Sequence, residues 1–334
     1  MRRFRSPHLG LVAALAVAAG VPAAAVAAAP ASAAITRYTI TDLGSLGGGV
    51  TDATAINAAG QVTGNSTLTL GGSRAFVWSN GKMTDLGTLP GGDFSMGREI
   101  NGSGEVAGSA TDPDEISHPS FWKGKSITAF RPGSGPLAIN DSGQFIGRCG
   151  VNVCKISHGT QTALPIPPHF IVCSPVAINS NGQVLGNCEL TNKVNDWHGV
   201  VWTKRTPTVL PTLGGTVSTS TTALPLATAI NNKGQVTGTA VTSTGALDGF
   251  LWSNGKIADL GPTFAPAAIN DNGVIVGGRF IDSGGTLHNL NNRIPAGSGY
   301  HIQSATGIND KGQIVANAND TATHQQHALL LTPN

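Results

Sequence analysis

Ile-Asn-x-x-Gly recurs seven times in this 334-residue chain, with its Asn at 57, 101, 140, 179, 231, 270 and 309. Most copies extend to Ala-Ile-Asn-x-x-Gly-Gln-Val-x-Gly or a close variant, as in Ala55–Gly64, Ala177–Gly186 and Ala229–Gly238. The steps between successive Asn residues are 44, 39, 39, 52, 39 and 39. Periods of roughly 20–50 residues mark architectures in which each unit buries its faces only against its neighbours.

Asn and Gly tolerate positive φ and bond locally, so Asn-x-x-Gly between short apolar runs reads as a hairpin turn. Downstream, Arg74–Trp78, Ser79–Gly81 and Lys82–Leu86 match Asp248–Trp252, Ser253–Gly255 and Lys256–Leu260 of the fifth copy. Apolar residues two apart, such as Phe76 and Trp78, carry strand periodicity, and the mature chain shows no helical apolar spacing. Four short strands per unit, seven times over, predict an all-β, seven-bladed β-propeller. A β-solenoid is the structural alternative. The last copy ends at His327–Leu331, a third strand with no fourth after it, while Tyr38–Gly44 resembles Lys82–Gly87 and precedes the first copy. The N-terminal strand, about 37–44, is therefore expected to complete the last blade and close the ring.

Residues 1–33 read as a cleaved signal peptide. Arg2, Arg3 and Arg5 precede an apolar stretch from Leu9 to about Ala28, and Ala31-Ser-Ala33 offers a small-x-small cleavage pattern. A transmembrane anchor is the rival reading. Residues 34–334 then form one propeller domain, and the expected location is extracellular. The whole chain has 20 Lys and Arg against 18 Asp and Glu; without the three signal arginines the balance is 17 to 18. That leaves no basic field for nucleic acid and no polybasic patch for stable membrane attachment. A monomer is expected, and nothing in the sequence asks for a cofactor or a metal.

Export places the four cysteines where disulfides persist. Cys173 and Cys188 are symmetric about the Ser180-Asn181 turn, so they should face each other across the first two strands of blade 4. Cys149 and Cys154 flank a short loop between the second and third strands of blade 3. The expected pairs are Cys149–Cys154 and Cys173–Cys188.

The order of motifs carries a resemblance. Leu-Gly-x-Leu-x-Gly-Gly stands at Leu43 and Leu86, Ala-Ile-Asn-x-x-Gly-Gln-Val-x-Gly follows, then variants of His-x-Phe-x-Trp, then Asp-Leu-Gly. The chain resembles the HAF family of extracellular repeat proteins, named for a His-Ala-Phe tripeptide in the third strand. Asn289–Gly299 is similar to the end of such chains, and the likeness runs from about Tyr38 to Pro333. It implies export and a repeat fold. The family's His position holds Arg74, His118, His198, Asp248 and His327 in the copies where it can be placed. Arg and Asp cannot replace a catalytic or metal-binding His, so a structural role, such as a polar cap on the third strand, is expected there.

Candidate sites were sought outside the repeat. Asn-Asp-x-Gly at Asn140, Asn270 and Asn309 supplies one carboxylate each, too few for a calcium loop. Asp112-Pro-Asp-Glu115 is the only dense acidic run and reads as a solvated loop. Trp78, Trp122, Trp202 and Trp252 share a repeat position and should pack between blades, whereas Trp197 stands outside that phase. Variable loops are expected near 65–73, 109–117, 189–197, 239–247 and 317–326, and blade crossings near 45–53, 90–97, 131–136, 211–226 and 296–304. All lie on the face opposite the Asn-x-x-Gly turns, and function on rigid scaffolds concentrates in such loops. Phe94, Trp197, His198, Tyr300 and His301 are the candidate ligand-binding residues there. Their Gly-, Ser-, Thr- and Asn-rich surroundings suit a neutral glycan or a cell-surface protein. A structural envelope component and a polysaccharide hydrolase or lyase are the other readings; acid–base chemistry needs a positioned pair of carboxylates or a base–nucleophile pair, and no motif pairs Asp93, Glu99, Asp112, Glu115 or Asp196.

Overall fold

The computed structural model describes residues 37–131, 135–191, 196–215 and 226–334. The expected signal segment and parts of the loops expected at 131–136, 189–197 and 211–226 lie outside the described residues. Among the described residues the chain forms seven four-stranded antiparallel sheets and one short 3-10 helix at Leu290–Asn292. The arrangement is a seven-bladed β-propeller. The innermost strands are Gly47–Ile56, Ser95–Ile100, Gly135–Ile139, Phe170–Ile178, Ala227–Ile230, Ala268–Ile269 and Tyr300–Ile308.

The ring closes as expected. Tyr38–Asp42 pairs antiparallel with Gln326–Pro333 of blade 7, in a register running from Tyr38 opposite Pro333 to Asp42 opposite Leu329. The two ends of the propeller domain therefore share one sheet.

Strand periodicity is plain in Gly47–Ile56, where Thr51, Ala53 and Ala55 are buried and Asp52, Thr54 and Ile56 are half-buried. The second Gly of the motif has its own reason. A β-bulge falls in the innermost strand between Ala53 and Ala55 and between Gly97 and Glu99, with the same offset in most other blades. The bulge drives a carbonyl against the facing residue of the second strand. A Cβ on Gly64 would stand 1.9 Å from the Asp52 oxygen, and one on Gly108 2.0 Å from that of Met96. Only glycine fits at that approach.

The core lies between blades. Leu43, Val62, Phe76 and Trp78 of the closing strand and blade 1 pack with Val315, Ala328 and Leu330 of blade 7. Trp122 of blade 2 joins Ala55, Ala75 and Leu86 of blade 1, and Trp202 of blade 4 joins Ile146, Val153 and Leu164 of blade 3. Trp252 packs partly buried against the cluster shared by blades 4 and 5. The in-phase tryptophans thus pack against the preceding blade; burying a large apolar side chain of this kind contributes about 1.5–3 kcal/mol. Phe121 meets Phe145 edge-on at 4.8 Å between blades 2 and 3.

Cys149–Cys154 and Cys173–Cys188 are both bonded. Cys173 and Cys188 are direct cross-strand partners, as the hairpin symmetry requires. The expected loops are shorter than the sequence suggested. Strands Trp197–Thr203, Tyr300–Ile308 and Gly47–Ile56 begin inside them, because backbone pairing continues past the apolar alternation by which strands are read.

Candidate functional site: axial channel and loop face

The seven motif asparagines converge on the propeller axis. Each is nearly buried, and each does two things. In Asn57 the Oδ1 accepts from the Ala59 and Gln61 amides, holding the hairpin turn. Its Nδ2 donates to Gln61 Oε1 at 2.7 Å and to the main-chain oxygen of Asn101 in the next blade at 2.9 Å. The same inter-blade bond runs from Asn101 to Asn140, Asn140 to Asn179, Asn179 to Asn231, Asn231 to Asn270, Asn270 to Asn309 and Asn309 back to Asn57, at 2.9–3.4 Å. Side-chain amides therefore link all seven blades in one closed circuit. Buried amides of this kind persist because every donor and acceptor finds a partner.

A second circuit is partial. Asp141, Asp271 and Asp310, each following its Asn, accept from the backbone amides of Gly102, Asn232 and Asp271 in the preceding blade at 2.6–2.8 Å. These carboxylates act as inter-blade acceptors.

The Ile before each Asn points to the axis. The residues Ile56, Ile100, Ile139, Ile178, Ile230, Ile269 and Ile308 line an axial pocket of about 200 Å³ on the Asn side, together with the motif asparagines other than Asn101. Six of them also line a chamber of about 180 Å³ on the other side, so the isoleucines form the constriction between the two. The upper chamber is walled by Ala, Ile and Gly and by Thr54, Thr228 and Thr306. Those hydroxyls donate at 2.9 Å to the Gly97, Pro266 and Ala53 carbonyls of the next blade. Among the described residues, Glu99 is the one ionisable group lining it. It occupies the position held by Ala55, Ala138, Ala177, Ala229, Ala268 and Gly307 in the other blades. The side chain is half-buried, and desolvation pushes its pKa up to about 7 against a smaller opposing pull from Arg98. Sequence reading had Glu99 only as one acidic residue among several; its signal was the break in the Ala column.

The sequence-selected residues sit on three parts of the ring. Phe94 lies in the crossing from blade 1 to blade 2, bridged to Ser73 and half-buried. Its carbonyl accepts from the Thr111 amide and Thr88 Oγ1. Trp197 and His198 open the third strand of blade 4, opposite Glu189 and Cys188; His198 caps that strand as expected, while Trp197 is a strand residue rather than part of the loop expected there. His198 stacks edge-on against Phe170 at 5.8 Å and pairs with Asp196 at 3.2 Å. Tyr300 and His301 likewise open the first strand of blade 7. The Tyr300 hydroxyl donates to Asp42 Oδ2 at 2.8 Å, and the same oxygen meets His327 Nδ1 at 2.8 Å. Desolvation, aided by the Asp42 charge, pushes the Tyr300 pKa up to about 12. His301 Nδ1 faces Gln303 Nε2 at 2.9 Å. The five residues thus fall at three separate places on the ring and form no single cluster.

Three of the residues expected to cap the third strand act as structural ties, whereas a carboxyl oxygen of Asp248 at the same position is buried without a hydrogen-bond partner among the described residues. His118 meets Asp112 at 2.8 Å and the Phe130 carbonyl at 3.1 Å, His327 holds the closing strand through Asp42, and Arg74 reaches the Asp93 carbonyl.

Exposed apolar side chains stand on the loop face at Leu70 and Ile116, and two lie together at one disulfide-flanked edge. Val151 and Ile171 are 53% and 47% exposed at the junction of blades 3 and 4. The Cys173 amide donates to the Val151 carbonyl across the junction at 2.9 Å. Cys149–Cys154 spans the turn that holds Val151, and Cys173–Cys188 lies two residues beyond Ile171. In the next row of the blade 4 sheet, on the opposite face from Cys173 and Cys188, Val172, Glu189 and Trp197 are aligned.

Solved structures share the fold. A chain from the mitotic checkpoint complex superposes over 99% of this chain and 99% of its own, with a TM-score of 0.51 at 13% identity. SapL1 lectin in complex with α-methyl fucoside matches with a TM-score of 0.42 at 11% identity, over 86% of this chain and 95% of the lectin. TolB from Acinetobacter baumannii gives 0.42 at 9% identity over 78% of this chain, which spans only 59% of the TolB chain. At such identities the likeness shows the fold alone. No family model and no curated protein matches the chain. No helix among the described residues is long and apolar enough to cross a membrane.

Proposed function

We propose that this is a secreted, non-catalytic binding propeller whose ligand is a neutral glycan, free or carried on a cell-surface protein. The observation that carries the reading is the loop end of blade 4, where exposed Val151 and Ile171 and half-buried Phe170 lie on the disulfide-flanked side toward blade 3 and half-buried Trp197 lies in the adjacent row, on the opposite face of the sheet. An aromatic side chain fixed by a strand needs little ordering on binding, and its flat face suits the C–H face of a sugar ring. Export, which residues 1–33 suggest, fits two disulfides. Membership of the HAF family, proposed from the motif order, fits the same location. The hydrolase reading gains nothing from the upper axial chamber, where Glu99 has no second carboxyl beside it.

The test is a glycan array on the purified mature protein, followed by calorimetry on the best hit with wild type and Trp197→Ala. Saturable binding weakened at least tenfold by the substitution supports the reading. An array without hits, or an affinity indifferent to Trp197, overturns it.

A further inference from the structure

Glu99 breaks the sevenfold rule inside the upper axial chamber. Five blades put Ala and one puts Gly at this position, and the bulge beside it sets the residue on the chamber wall. Among the described residues, the strands packed against Ser95–Ile100 add no other titratable group to the chamber, and Arg98 is the opposite charge acting on the carboxyl. The three threonine hydroxyls spend their protons on neighbouring carbonyls, which leaves their oxygen lone pairs as acceptors. The chamber holds about 180 Å³ and is floored by the isoleucine constriction. A carboxylate held in such a space without a hydrogen-bond partner among the described residues is costly when ionised unless a counter-charge joins it.

We propose that the upper axial chamber is a binding site for a small monocation, an ammonium-type or alkali ion, with Glu99 as its charge partner. The ion enters from the loop-face side and sits against the carboxylate with threonine oxygens nearby. The site is independent of the glycan surface at blades 3 and 4. Protonation of Glu99 empties it, and the elevated carboxyl pKa puts that switch near neutral pH.

The experiment follows the Glu99 side-chain carboxyl by carbon-13 NMR through a pH titration of the full mature protein. It is run in ammonium chloride, in potassium chloride and in the bulky tetraethylammonium chloride at matched ionic strength. The midpoint is expected to fall by at least one pH unit in ammonium or potassium relative to tetraethylammonium, and whichever ion acts identifies the occupant. Calorimetry with that ion at pH 8 should show binding that weakens at least tenfold at pH 5 and is lost in Glu99→Ala, a change to the residue five other blades already carry. Equal midpoints in all three salts, or ion binding that survives Glu99→Ala, overturn the proposal.

Discussion

Asn309 donates from its side-chain amide to the main-chain oxygen of Asn57, 3.1 Å away and 252 residues earlier. That bond closes the axial circuit, just as the pairing of Tyr38–Asp42 with Gln326–Pro333 closes the sheets at the rim. The ring is thus shut twice, at the axis by side chains and at the periphery by backbone.

Asn179→Asp separates the two duties of a motif asparagine. The aspartate keeps an oxygen for the Gln183 amide but loses the donations to Gln183 Oε1 and to the Asn231 carbonyl. Leaving buried acceptors unmet should cost about 1–3 kcal/mol, more if the charge stays buried. Urea unfolding of the variant should show a lower midpoint with an unchanged slope.

Gly108→Ala tests the bulge. Its Cβ would lie 2.0 Å from the Met96 oxygen, so the innermost strand of blade 2 must shift. Destabilisation of about 1–3 kcal/mol is expected by thermal unfolding. Ala316→Gly, at the equivalent place in blade 7, relieves no such clash and should stay within about 1 kcal/mol of wild type.

Shape was readable from the sequence because it is repeated: seven spaced turns, in-phase tryptophans and an orphan strand each left a periodic trace. The hairpin arithmetic around Ser180-Asn181 likewise placed Cys173 opposite Cys188. What the chain could not reveal was anything that joins residues across blades. Asn57 looked like a turn residue, and its bond to Asn101 depends on the radius of the assembled ring. Trp197 and Tyr300 looked like loop residues, because pairing between polar strand ends leaves no apolar alternation to read. Glu99 was visible only as an exception in a column whose place on the axis had to be seen first.

Reducing the disulfides should loosen one edge rather than the ring. Replacing Cys173 and Cys188 by Ala removes a 15-residue closure, worth about 3 kcal/mol in the unfolded-chain picture. Hydrogen exchange is expected to rise first at Phe170–Cys173 and Cys188–Leu190, with the Asn-turn amides of the other blades unchanged.

The Asp112–His118 contact predicts a pH window. The His118 nitrogens face two acceptors, Asp112 Oδ2 and the Phe130 carbonyl, so the doubly protonated ring suits the site best. The hydrogen bond from His118 holds the Asp112 carboxyl below its usual range, and the same bond raises the His118 pKa. The contribution of the carboxylate is lost as pH falls through its lowered pKa, and that of the imidazolium as pH rises through its raised one. Backbone NMR order at Asp114–Ile116 should peak between those limits, and Asp112→Asn should flatten the profile.

The most direct measurement of function is fluorine NMR on protein labelled with 5-fluorotryptophan, which reports all five tryptophans separately. On titration with the glycan selected by the array, the Trp197 resonance should shift and saturate while those of Trp78, Trp122, Trp202 and Trp252 stay in place. Saturable binding that leaves Trp197 unmoved, or that moves only the core tryptophans, would contradict a ligand surface at the loop end of blade 4.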